Sequence, residues 1–222
     1  MPLNHYEILL PTDEWVPLLQ KNFYQATDGA AMPQGTLLRL KREEDFLRIE
    51  FCCQQDPYRA QTTLTEHNSD LWQQAVFEVF IAPGEHIPTR YLEVEINPNN
   101  ALFVGWVENK SGEGDANVLA MVPYEAAGIE HAITGSTTDS WQGEVRIPLA
   151  LINGPDSYSP GAAYPGTTYR INFYRIVQTQ PQTAADWVCD PSNASFQCWS
   201  PTLSGSTPRF HRPASFGIVR FV

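Results

Sequence analysis

Apolar and polar residues alternate with a period of two along much of the chain, the pattern of strands that bury one face. In DFLRIEFCCQ, residues 45–54, Leu47, Ile49, Phe51 and Cys53 fall on one side. This run pairs with residues 36–41 across a turn at 43–45, which predicts a hairpin. Further strands are predicted over 76–81, 90–97, 102–108, 118–122, 129–134, 142–147, 168–177 and 217–222. Sustained helical periodicity is absent, and only 14–21 and 70–74 suit short helical turns. Many short strands separated by Gly, Pro, Asn and Ser predict an all-β sandwich or jelly roll rather than a parallel α/β fold. With no internal repeat and no linker-like run, residues 1–222 read as one domain. The loops at 110–117, 153–167 and 178–195 stand out, since long ordered loops tend to be binding loops.

Strand parity sorts the side chains. In YLEVEIN, residues 91–97, a core face of Leu92, Val94 and Ile96 leaves Tyr91, Glu93, Glu95 and Asn97 on the other. In YRINFYRI, residues 169–176, Ile171, Phe173 and Arg175 turn inward and Arg170, Asn172 and Tyr174 outward. Gln142, Glu144 and Arg146 point out of the strand near 145, and Glu78 shares a face with Val76 and Phe80. The outer faces thus collect groups that bond to hydroxyls, and their simplest reading is a solvated sheet surface with weak cross-strand ion pairs. Trp72 and Trp199, at the ends of elements, suggest more. A flat ring can stack on the C–H face of a sugar while carboxylates and amides bond its hydroxyls. Burying roughly 100 Å² on such a platform gives about 2.5 kcal/mol.

Charge narrows the partner. The chain carries 14 Lys and Arg against 25 Asp and Glu, a formal net charge of -11. Nucleic acid and anionic lipid require a basic face, so neither is an expected partner, whereas a neutral sugar suits. No run approaches the roughly 18 apolar residues of a membrane span. The opening MPLNHYEILLPTDEW lacks the basic n-region of a signal peptide. As it stands the sequence therefore reads as cytoplasmic, or as secreted or periplasmic if a native leader is missing from it. Cys52 and Cys53 are neighbours on a strand and point to opposite faces. Cys189 and Cys198 flank a loop and could bridge, although a chain without an export signal disfavours it.

The chain resembles the carbohydrate-binding module family 9 group within the wider DOMON-like sandwiches. The resemblance runs through NSDLWQQAVFEVFIAP, then YLEVEINPNN, WQGEVRIPLALI, YRINFYRI, CWSP and FHRPASFG, over roughly residues 36–222. The closing pattern is similar to stand-alone bacterial proteins rather than to modules fused to xylanases. The resemblance implies an antiparallel β-sandwich in which two tryptophans hold a terminal sugar while charged and amide groups bond its hydroxyls. By position it implies Trp72 and Glu78 for one half of the site and Asn172 and Trp199 for the other, with Glu95, Asn97 and Arg175 as further contacts. It expects no cofactor beyond structural calcium, for which GEGDAN, residues 112–117, and the Asp70 region are the candidates.

On this reading the segment WSPTLSGSTPRFHRPASFG, residues 199–217, places Trp199 in a sugar pocket. Its three prolines exclude an interior strand or helix, so the rest is a belt pinned by aromatic rings, with His211 a hydrogen-bonded structural residue. Other chemistries fit less well. Glu93 and Glu95 would stand about 6.5–7 Å apart, near the spacing of glycosidase carboxylates, but an open alternating face argues against the raised pKa a general acid needs. No Met–His spacing selects a haem site. Cys-x-x-Cys, His-Glu-x-x-His, P-loop and dinucleotide motifs are absent. The sequence therefore predicts non-catalytic binding of a mono- or oligosaccharide, with a glycosidase-associated or weakly hydrolytic module, or a repurposed protein-interaction or structural sandwich, as alternatives.

Overall fold

The structure, a computed structural model, describes residues 6–113, 116–152 and 167–222. The expected loop at 153–167 lies almost wholly outside these residues, as do His5 and two residues of the acidic loop. The strands are β1 (Glu7–Leu10), β2 (Trp15–Pro17), β3 (Asn22–Gln25), β4 (Ala31–Glu43), β5 (Phe46–Cys53), β6 (Val76–Pro83) and β7 (Arg90–Ile96). They continue as β8 (Leu102–Glu108), β9 (Asn117–Met121), β10 (Glu130–Ser136), β11 (Trp141–Pro148), β12 (Thr168–Gln178), β13 (Ala194–Cys198) and β14 (Gly217–Phe221).

Two sheets share the long strand β4. The first runs β9-β8-β7-β6-β12; beyond β12 its edge divides between β14, which pairs in parallel with β1, and β13, which leads to β3 and the start of β4. The second runs β2-β4-β5-β11-β10. Pairing of named strands is antiparallel except for β1 with β14. The molecule is an all-β sandwich, as the alternation predicts.

The predicted strands all form, and four more join them. β1, β2, β3 and β13 are short and gain their hydrogen bonds from neighbours distant in sequence, so local pattern marks them weakly. One expectation is corrected: 14–21 forms no helical turn, because Trp15 and Val16 extend along β4 opposite Lys41 and Leu40. The turn near 70–74 is present as a 3-10 helix at Leu71–Gln73.

Between the sheets lies a core whose members follow parity. Leu38, Leu40, Leu47, Ile49, Phe51, Val145 and Ile147 face Phe77, Val79, Ile81, Val94, Val104, Ile171 and Phe173. Phe51 stacks on Phe77 at 4.3 Å across the gap. The second sheet's outer surface is the charged one, with Arg39–Glu50 and Arg48–Glu144 pairs at 2.5 Å, each partly exposed and so of small worth.

Arg175 is the inward charge that parity forecasts, and it is fully buried. It reaches from β12 towards the crossing of β4, donating to the carbonyls of Gly35 (2.9 Å) and Gln54 (2.8 Å) and to Thr36 Oγ1 (3.2 Å). Asp56 Oδ2 lies 3.5 Å from the guanidinium and accepts from Trp141 Nε1 at 2.9 Å. Burial raises the Asp56 pKa despite Arg175 beside it. The pair therefore gives little net stabilisation as charge, but removing one member strands the other in the core. Arg175→Met should lower unfolding stability by about 3–5 kcal/mol in urea titration, and Arg175→Met/Asp56→Asn should recover part of it. A single-variant cost under about 1 kcal/mol would sink this account.

Candidate functional site

Over its central strands the first sheet's other face is not solvated, which corrects the expectation of an open surface, and only the edge strand β9 is exposed throughout. Val76, Phe80, Tyr91, Phe103, Tyr174 and Cys198 lie on it, covered by Leu71, Cys189, Phe210 and Phe216 from the loops. The closing segment supplies much of the cover. Phe210 stacks on Tyr174 at 4.5 Å, and His211 stacks on Phe80 at 5.0 Å. His211 Nδ1 lies 2.8 Å from the Tyr91 hydroxyl, and burial lowers its pKa to about 4. It is a neutral, hydrogen-bonded structural residue, as its setting in the belt suggests.

Three glutamates are trapped in this apolar layer. Strand register sets Glu78 opposite Glu95 and Phe80 opposite Glu93, with Tyr174 on the other side of Glu78. Glu78 and Glu95 are 2% exposed and Glu93 6%. One oxygen from each converges so that all three lie within 4.8 Å of one another. Burial pushes every one of them up, Glu93 to about 8, and for Glu78 and Glu95 the neighbouring carboxylates push further. Glu93 and Glu95 also act directly on each other, and the backbone of Trp72 offsets part of the rise at Glu95. Glu78 Oε1 and Glu95 Oε2 are buried without a hydrogen-bond partner.

The other expected site residues divide. Trp72 is 41% exposed, on the 3-10 turn that packs beside β7 and its Glu95. Asn97 donates to Leu64 O (2.8 Å) and accepts from the N–H groups of Asn99 and Ala101. Asn172 donates to Ser200 O (2.9 Å) and accepts from Ser200 N (3.0 Å). Both amides share the glutamates' face but are committed to anchoring loops. Arg175 is on the opposite face, in the clamp to Asp56.

Trp199 is the clear correction. It is 1% exposed, packed edge-on against Tyr6 at 5.1 Å and near Phe173 at 5.6 Å, with Nε1 donating to Gln20 Oε1 at 3.3 Å. Its ring approaches Gly217 so closely that a Cβ there would lie 2.5 Å away, so the closing glycine makes room for the indole. The cause is strand β13: Cys198 faces the loop layer, and the next residue faces the inter-sheet core. Trp199 and Trp72 therefore form no pair around a ligand.

Trp187, which sequence reasoning missed, is half-buried and donates from Nε1 to Gln73 O at 3.0 Å, beside Trp72 in the chain. The Cys189 N–H donates to Gln73 Oε1 at 3.3 Å, so loop 178–193 is fastened to the same turn. A tryptophan within a loop already marked as long was the available signal. Cys189 and Cys198 are free thiols. None of the expected site residues lines the groove of about 650 Å³ on the second sheet's outer face, which is bordered by Leu37, Arg39, Glu50, Cys52, Gln142 and Glu144.

Glu93 and Glu95 lie buried beneath the loop layer, whereas a glycosidase holds its two carboxyls on either side of a scissile bond in an open cleft. Asp70, a calcium candidate under the resemblance, belongs to no group of three converging His, Cys, Asp or Glu side chains among the described residues.

An "Extracellular protein" of Arthroderma benhamiae is 30% identical over 186 residues, covering 78% of this chain and 78% of that protein. The chain belongs to that protein's family. No family model matches it. Among solved structures, a Bacteroides uniformis protein described as carbohydrate-binding superposes over 98% of this chain and 99% of its own, with a TM-score of 0.69 at 16% identity. A carbohydrate binding module family 9 domain from Caldicellulosiruptor kristjanssonii in complex with glucose covers 97% of this chain and 95% of its own (TM-score 0.52, 13% identity). A second such structure, with cellotriose, covers 97% and 93% (TM-score 0.51, 13% identity). The family member described here thus has the fold of the family 9 modules.

The buried glutamates set a pH dependence. A carboxyl whose folded pKa is raised contributes stability below its unfolded value, near 4.3, and loses it as pH rises through the folded value. EDTA-treated protein should lose thermal stability as pH rises towards about 8, and Glu93→Gln should flatten that slope. Parallel profiles for the two proteins would refute the assignment.

Proposed function

We propose that this chain binds carbohydrate without cleaving it, taking a terminal mono- or oligosaccharide ring on Trp72. The observation that carries the reading is the exposed Trp72 indole, held on a rigid turn against a sheet face of glutamates and amides. Such a ring supplies the apolar platform for a pyranose face. Trp187, bonded to the same turn, is the second aromatic wall in place of Trp199. Glu78 and Glu95 back the platform, and Asn97 and Asn172 hold the loops around it. The glucose and cellotriose complexes of the family 9 neighbours support a glucan-type ligand. The name of the Arthroderma relative supports a place outside the cell.

A second reading comes from the groove beside Gln142, whose volume of about 650 Å³ suits a short saccharide. Titration calorimetry against glucose, xylose, cellobiose, xylobiose and soluble glucans separates the two. Millimolar or tighter binding is expected, weakened about tenfold or more by Trp72→Ala and unchanged by Gln142→Ala. The reverse pattern would move the site to the groove. Silence across the panel from a folded protein would reject carbohydrate binding.

A further inference from the structure

The three buried glutamates ask for a counter-charge that the chain does not supply. No lysine, arginine or histidine among the described residues forms an ion pair with them; the titratable groups beside them are one another, Tyr91, Tyr174, Cys189 and Cys198, none of which carries positive charge. Arg175 on the neighbouring strand points through the sheet's opposite side, paired in register with Phe77 rather than Glu78. The oxygens Glu78 Oε1 and Glu95 Oε2, on side chains 2% exposed, lack any hydrogen-bond partner. A buried acceptor left in that state is costly unless something binds it.

We propose that Glu78, Glu93 and Glu95 hold a divalent cation of the hard, oxygen-seeking kind, of about the size of calcium, beneath the Trp72 turn. Convergence within 4.8 Å matches such an ion: oxygens at about 2.3–2.6 Å from calcium stand at most about 5 Å apart. A small ion also fits where the loop layer leaves no room for a larger group. The donors are carboxylate oxygens alone, since the thiols of Cys189 and Cys198 are not among the converging atoms, and that favours calcium or manganese over zinc. The ion would replace like-charge repulsion with attraction and tie β6 to β7 under the Trp72 turn. The site differs from the acidic loop at 112–117 and from Asp70.

This inference goes beyond the saccharide reading and is tested without sugar. The full chain is stripped with EDTA at pH 7.5, and Ca²⁺ and Mn²⁺ are titrated separately, followed by calorimetry and thermal denaturation. One saturable site per chain and a raised Tm are expected. Glu78→Gln and Glu93→Gln should each weaken binding about tenfold or more. Without ion, both should melt at or above the unaltered protein, because each removes a like charge from the cluster. That crossing pattern is not produced by a merely structural role. No saturable binding at millimolar ion overturns the proposal, as does binding that survives both substitutions. Should neither variant fold, electron paramagnetic resonance of Mn²⁺ with the unaltered chain decides: one immobilised Mn²⁺ displaced by Ca²⁺ supports the site, and free Mn²⁺ alone overturns it.

Discussion

The central strands of the first sheet are buried on both faces, but another sheet covers only one of them. Everything distinctive in the molecule follows from how the other face is closed. Strand backbones satisfy one another, so side chains decide what can cover a sheet. Here the cover comes from loops that bring Leu71, Cys189, Phe210 and Phe216 down onto Val76, Phe80 and Tyr174. Loops have few hydrogen bonds of their own, which is why amides such as Asn97, Asn172 and Gln74 are spent on anchoring them. Residues that look like ligand contacts in the sequence are thus part of the machinery that holds the face shut.

Against this apolar cover, the glutamate cluster is a local conflict. Carboxylates are rarely buried without a partner, and three together work against the fold unless protons or a cation neutralise them. Conflicts of this kind concentrate at functional positions, where stability is given up for chemistry. The Trp72 turn packs beside β7, the strand that carries Glu93 and Glu95.

The opposite side of the same sheet solves its polar problem differently. Arg175 and Asp56 are as deeply buried as the glutamates and each leaves one polar atom unpartnered, yet they have opposite charges, three backbone or hydroxyl acceptors and the Trp141 indole. This clamp joins β12 to the strand that belongs to both sheets. Trp199 and Gly217 fasten the chain's two ends by the same kind of complementarity, with Tyr6 and Gln20 reached from one terminus and β14 from the other.

Period-two alternation over runs such as 45–54 and 90–97 was enough to determine strands, their faces and the sandwich, because a side chain's direction in a strand depends only on its own parity. Arg175 inward and Glu95 outward were readable for that reason. The meaning of "outward" was not. Whether a second face meets water or a loop layer depends on segments such as 178–193 and 200–216, whose irregular backbone carries no period to read. Trp199 shows the same limit: its side depends on the short β13, which exists only because β12 and β3 flank it. Local sequence determined which face each residue takes, and only the tertiary structure decided what that face would touch, since contact between distant segments is set by packing rather than by propensity.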